Sequence, residues 1–106
     1  MIFSIGNHIE LIQLGLKTET RRPTDKYRVG RTYAIQPGRG KKGIPEGRIC
    51  IINKWEEDWE QKVTEEEANA EGGYTIKDFE DLYEKMYPIW EIRWAYEFIF
   101  IHRGRG

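Results

Sequence analysis

The sequence predicts an α+β fold in which a small curved or closed sheet has helices over its openings. Three observations carry this. The run Ile92 to Ile101 alternates and is rich in aromatic residues, as a long strand requires. Ile76, Phe79, Leu82, Tyr83 and Met86 recur at helical spacing behind Thr75. No internal repeat or linker interrupts the 106 residues, which suit one domain, 1–106, with one modest core. A mixed sheet with helices on one face is the alternative arrangement.

The elements follow in order. Met1 to Ile5 reads as a short first strand, broken at Gly6-Asn7. Asn7 can cap a helix with apolar positions Ile9, Leu11, Ile12 and Leu14, and Gly15 is placed to end it in a left-handed conformation. The segment 17–22 suits extended backbone, and Pro23 biases Arg22 away from helix. Arg31 to Gln36 reads as a strand. Pro37 to Gly47 is loop by composition. Arg48 to Trp55 resumes as a strand, with Ile49, Ile51 and Ile52 expected inside and Cys50 expected as a buried thiol. Thr64-Glu65-Glu66-Glu67 has the capping-box pattern and opens a short acidic helix that Gly72-Gly73 stops. A second helix starts at Thr75, and Pro88 lies beyond its end.

Composition excludes several classes of function. Cys50 is the only cysteine, so no disulfide can form within the chain. No apolar run approaches a membrane span and no signal-like segment opens the sequence, so a cytoplasmic protein is expected. His8 and His102 lie far apart beside a single cysteine, so no metal is expected, and His102 in the tail 102–106 reads as a solvated end residue. No cofactor is implied.

The net charge of −1 conceals a division. Residues 15–48 hold ten basic side chains against three acidic ones, and residues 56–91 hold thirteen acidic against three basic. The basic part can create a local positive field for a polyanion; alternatively, the two parts neutralise each other across the fold.

Chemistry concentrates at Gly15-Leu16-Lys17-Thr18-Glu19-Thr20-Arg21-Arg22. In extended backbone Lys17, Glu19 and Arg21 share one face, and Thr18, Thr20 and Arg22 the other. Lys17 and Thr20 then need a bend or a bulge to converge. Arg21 and Arg22 carry guanidinium forks that match phosphate oxygens, but alternation sends them to opposite faces. Lys17 could equally form a salt bridge with Glu19 or Glu71.

This stretch, with Pro23, resembles the signature of the activating signal cointegrator homology (ASCH) domain of the PUA-like superfamily, usually Gly-x-Lys-x-x-Glu-x-Arg. The chain matches at Gly15, Lys17 and Arg22 and carries Thr20 where Glu is common, as in a variant with Gly-x-Lys-Thr-x-Thr. The segment Thr64 to Tyr74 resembles a second block of the family. The resemblance spans nearly the whole chain and implies a PUA-like small β-barrel with flanking helices and a cleft beside the motif. It implies an RNA or nucleotide ligand held by Lys17, Thr18 and Arg22. The basic loop at Arg39, Lys41 and Lys42 would be a nucleic-acid arm.

One branch of the family with the Lys-Thr-x-Thr form removes the acetyl group from N4-acetylcytidine without a metal. By that resemblance Lys17, Thr20 and Glu71 would be catalytic. A third reading is a protein-interaction module using the acidic 56–71 surface.

Overall fold

The computed structural model describes residues 1–103. Its elements are helix α1 (His8–Gln13), strands β1 (Glu19–Arg22), β2 (Thr32–Ala34) and β3 (Gly47–Asp58), helices α2 (Glu65–Gly72) and α3 (Ile76–Met86), and strand β4 (Ile92–His102). The four strands form one antiparallel sheet in the order β1-β4-β3-β2. β3 and β4 are long and make the central ribbon; β1 and β2 are short edge strands.

The sheet is not closed into a barrel, which corrects the expectation of a PUA-like barrel. The expected first strand is the reason. Of residues 1–5 only Ile2 makes a β-bridge, parallel to Gln36 beyond β2. The Phe3 N–H donates to the Gln36 carbonyl at 2.8 Å, and the Gln36 N–H donates to the Met1 carbonyl at 2.9 Å. Towards β1 the same segment makes no ladder. Arg22 Nη2 instead donates to the Ile2 carbonyl at 2.6 Å. A side chain spans the gap that a strand pair would have closed.

Local signals place the helices. Thr64 Oγ1 accepts from the Glu67 N–H and the Glu67 carboxylate accepts from the Thr64 N–H, so the capping box is complete. Thr75 caps α3 through the Asp78 N–H. Asn7 stands at the start of α1, but its side chain makes no capping bond there. Gly15 has φ +75°, the left-handed conformation expected after α1.

A β-bulge gives the central ribbon two different faces. Ile51 is opposite Phe98 and Asn53 is opposite Glu97, leaving Ile52 as the extra residue. Residues 51 and 57 would share a face in a regular strand; the bulge separates them. Ile51 lies with Ile49, Tyr96 and Phe98 in a core completed by Met1, Phe3, Ile12, Tyr27 and Ile35. Trp55 and Glu57 turn to the opposite face with their partners Ala95 and Arg93, where α2 and α3 pack. A second cluster of Val63, Ala68, Phe79 and Tyr83 lies there, with Tyr74, Tyr87 and Trp90 against it. Ile52, expected inside, follows the buried Ile51 and is exposed. Cys50 is likewise only half-buried, since it alternates with Ile49 and Ile51. His102 ends β4, exposed, with its ring edge-on to Phe100; residues 104–106 of that tail lie outside the described residues.

Candidate functional site

β1 has a neighbour on one side only, β4, and a cavity of about 240 Å³ lies along its other flank. The N-terminal segment supplies Ile2, Phe3 and His8 to the walls; β1 and the residues before it supply Lys17, Thr20, Arg21 and Arg22. Glu71, Tyr74, Phe79, Tyr83 and Tyr87 complete it from α2, α3 and their flanks. Lys17 and Thr20 both reach the cavity without the bend or bulge that alternation demanded. A cavity that wraps around a strand edge meets side chains from both faces.

Lys17 is buried, and its ammonium has three acceptors: the Glu19 carbonyl at 2.8 Å, the Glu71 carbonyl at 2.6 Å and Glu71 Oε1 at 3.3 Å. Burial pushes its pKa below the ordinary value, a shift that Glu71 opposes and that Arg22 and Arg21 reinforce. The salt bridge to Glu71 is thus real geometry, whatever else Lys17 does.

Arg21 stands apart from Arg22, as alternation along the strand expects. Its guanidinium is buried and wholly occupied by carboxylates, so it is no phosphate ligand. Nε lies 3.0 Å from Glu57 Oε1, Nη1 lies 2.8 Å from Glu71 Oε2 and 3.0 Å from Glu19 Oε1, and Nη2 lies 2.9 Å from Glu67 Oε2. Burial opposes the charge of Arg21, but the hydrogen bonds and charges of Glu57 and Glu71 outweigh it and raise its pKa. Glu57 also binds Arg93 Nε at 2.8 Å and accepts from Trp55 Nε1 at 2.8 Å. Against the cost of burial, Arg21 above all, and then Arg93 and Trp55, hold its carboxyl below the usual range. Here the basic motif and the acidic segment do neutralise each other across the fold.

Arg22 turns the other way. Its Nε donates to Thr20 Oγ1 at 3.1 Å, and its guanidinium carbon lies 5.0 Å from the centre of the Phe3 ring. Thr18 does not line the cavity: its backbone joins the Ala70 carbonyl and the Phe98 N–H, tying α2 and β4 together across the motif. Arg39, Lys41 and Lys42 are exposed and also stand outside the cavity walls. Their loop is rooted beside it, because Gln36 Nε2 donates to the Lys41 carbonyl while the Gln36 backbone holds Met1 and Phe3.

His8 and Tyr74 were not read as site residues from the sequence. The His8 ring is buried, with Nε2 2.7 Å from Tyr74 Oη. Burial, then the charges of Lys17 and Arg22, lower its pKa to about 4, so it is neutral at pH 7. Burial and Glu71 raise the pKa of Tyr74, which keeps its proton. Gly72 stands where a Cβ would meet Tyr74 at 3.0 Å and His8 Nε2 at 3.1 Å, and it has φ +152°. Glycine is required there on both counts. The helical spacing of Phe79, Tyr83 and Tyr87 marked a buried face but not that the face borders a cavity. Nothing in the linear spacing pointed to Glu57 or Arg93.

Among the described residues no helix is long and apolar enough to cross a membrane, and no three His, Cys, Asp or Glu side chains form a metal-binding group. No protein-family model and no curated protein matches the chain. Solved structures do. An ASCH domain from Lactobacillus crispatus JV V101 aligns with a TM-score of 0.76 at 14% identity, covering 96% of this chain and 79% of that one. A DUF984 protein from Enterococcus faecalis V583 aligns with a TM-score of 0.67 at 17% identity, covering 88% of this chain and 66% of that one. With the open sheet, the flanking helices and the placement of the motif at the β1 edge, these likenesses show that the chain has the ASCH-domain fold.

Proposed function

We propose that this protein binds RNA or a nucleotide by seating a single base or nucleoside in the cavity at the β1 edge. The observation that carries the reading is the make-up of that cavity. The rings of Phe3, Tyr74, Phe79, Tyr83 and Tyr87 surround a small space that also receives Thr20, Arg22 and the Lys17–Glu71 pair. Aromatic walls with a few convergent polar groups suit a flat heterocycle. At about 240 Å³ the space is below the roughly 300–1,000 Å³ of drug-sized pockets, which fits one base and excludes a duplex. The ASCH-domain fold agrees with the resemblance of the motif, which implies the same ligand class.

In this reading Lys17 and Glu71 hold the floor of the site, since the ammonium protons are taken by acceptors of the protein itself. Thr20 and Arg22 face the ligand. The loop bearing Arg39, Lys41 and Lys42 meets phosphates beyond the cavity, where exposed cations release counterions on binding. Titration of cytidine, cytidine monophosphate and a short single-stranded RNA at several salt concentrations tests this. Nucleoside binding insensitive to salt, with RNA binding that weakens as salt rises, is expected. Absence of binding to all three would remove the reading.

A second reading is favoured by the depressed pKa of Lys17 beside Glu71 with Thr20 on the same cavity: metal-independent hydrolysis of the acetyl amide of N4-acetylcytidine. Lys17 in its neutral form would take the Thr20 proton, the Thr20 oxygen would attack the acyl carbon, and the same proton would pass from Lys17 through the Glu71 carboxylate to N4 as the C–N bond breaks. Water would then cleave the acyl-threonine, releasing acetate. Turnover of N4-acetylcytidine that Lys17→Ala abolishes is the expected result; no deacetylation over hours would exclude it.

A further inference from the structure

Among the described residues one buried side-chain polar atom has no hydrogen-bond partner, and it is the Tyr83 hydroxyl. Tyr83 stands on α3 between this cavity and a second hollow lined by Glu80, Trp90 and Arg93, and is nearly fully buried. The other buried polar groups of that cavity are matched within the protein. Lys17 is held by Glu19 and Glu71, Glu71 by Arg21, Thr20 by Arg22, and His8 by Tyr74. A phenol O–H left unpaired in a protein interior costs stability and is retained where something else supplies the partner.

The ring itself is fixed. Tyr83 packs against Phe79 on its own helix and Tyr87 just past the helix end, and edge-on against Trp90 at a centroid distance of 5.5 Å. The Arg93 guanidinium carbon lies 4.8 Å from its ring centre, anchored by Glu57 and Glu80. The hydroxyl therefore cannot swing away to find water without unpacking this stack. Burial pushes its pKa well above the ordinary value, and Glu71 and Glu57 add to this, so the group remains an O–H donor at neutral pH.

We propose that Tyr83 is the specificity-determining donor of the site, giving its hydrogen bond to a carbonyl oxygen or ring nitrogen on the edge of the bound base. The proposal rests on the cavity being the ligand site and adds what the ligand must carry: a planar heterocycle with an exposed acceptor, as pyrimidine nucleosides have.

The test uses the full chain and Tyr83→Phe, with cytidine, uridine and N4-acetylcytidine titrated by calorimetry and the free proteins melted in parallel. The expected result has two parts. Tyr83→Phe melts at or above the wild-type temperature, because it deletes an unpaired hydroxyl, and it binds the preferred nucleoside about 5- to 30-fold more weakly. Affinity within twofold of wild type would overturn the role of Tyr83 while leaving the cavity as the binding site. A lower melting temperature would also overturn it, by showing that the hydroxyl is already paired in the free protein. Wild-type protein that binds none of the three nucleosides would overturn both the inference and the reading beneath it.

Discussion

Arg21 and Glu57 meet through paired hydrogen bonds, Nε to Oε1 and Nη2 to Oε2, each 3.0 Å long, with both side chains buried. The pair joins the edge strand β1 to the central strand β3 across β4, beneath α2 and α3. Arg93 completes it from β4, so Glu57 lies between two guanidinium groups. Breaking such a pair leaves charge buried without a partner. Arg21→Met is therefore expected to lower unfolding stability by about 3–5 kcal/mol, measured by urea denaturation. A loss under about 1 kcal/mol would show that the carboxylates around Arg21 re-pair or hydrate at no cost.

Lys17 tests whether the cavity floor is structural. Removing its ammonium in Lys17→Met strips the Glu19 and Glu71 carbonyls of a donor and leaves Glu71 to Arg21 alone. A loss of about 1–3 kcal/mol is expected on denaturation, together with loss of nucleoside binding. Full stability and full binding would mean that Lys17 contributes to neither.

The pH dependence follows from His8. Its folded pKa of about 4 lies below the ordinary 6.5, so folding favours the neutral ring. The contribution is complete above pH 6.5 and is lost as pH falls from 6.5 towards 4. Solvent screening reduces it to roughly 1–2 kcal/mol. The difference in urea midpoint between wild type and His8→Gln should narrow over that interval. A difference independent of pH would disprove the linkage.

Gly72→Ala is expected to cost about 1–3 kcal/mol and to weaken nucleoside binding, because the added methyl strains the backbone and presses on the His8–Tyr74 pair. Thermal melting and calorimetry read the two effects. An unchanged melting temperature would show that the α2–α3 junction relaxes freely.

The basic loop separates base recognition from backbone attraction. Replacing Arg39, Lys41 and Lys42 together by alanine should leave cytidine affinity unchanged, since none lines the cavity. It should reduce the salt slope of RNA binding by about two to three. An unchanged slope would place the phosphates elsewhere on the surface.

Much of this protein was written in local patterns. The capping box at Thr64, the cap at Thr75, the left-handed Gly15 and the alternating run of β4 each act within a few residues, so each was legible without the fold. The α+β class followed from them, whereas the segment around Lys17 stood out only through its resemblance to the family motif. The tertiary structure decided the rest. One extra residue at Ile52 turned Trp55 and Glu57 to the opposite face, and spacing does not announce a bulge. The sheet stayed open because Ile2 bridges Gln36 and reaches β1 only through the Arg22 side chain. Arg21, which alternation set only on the face opposite Arg22, became the centre of a buried ion network, because partners far along the chain were brought to it. Lys17 and Thr20 reach one cavity because β1 is an edge, a property of strand order rather than of sequence.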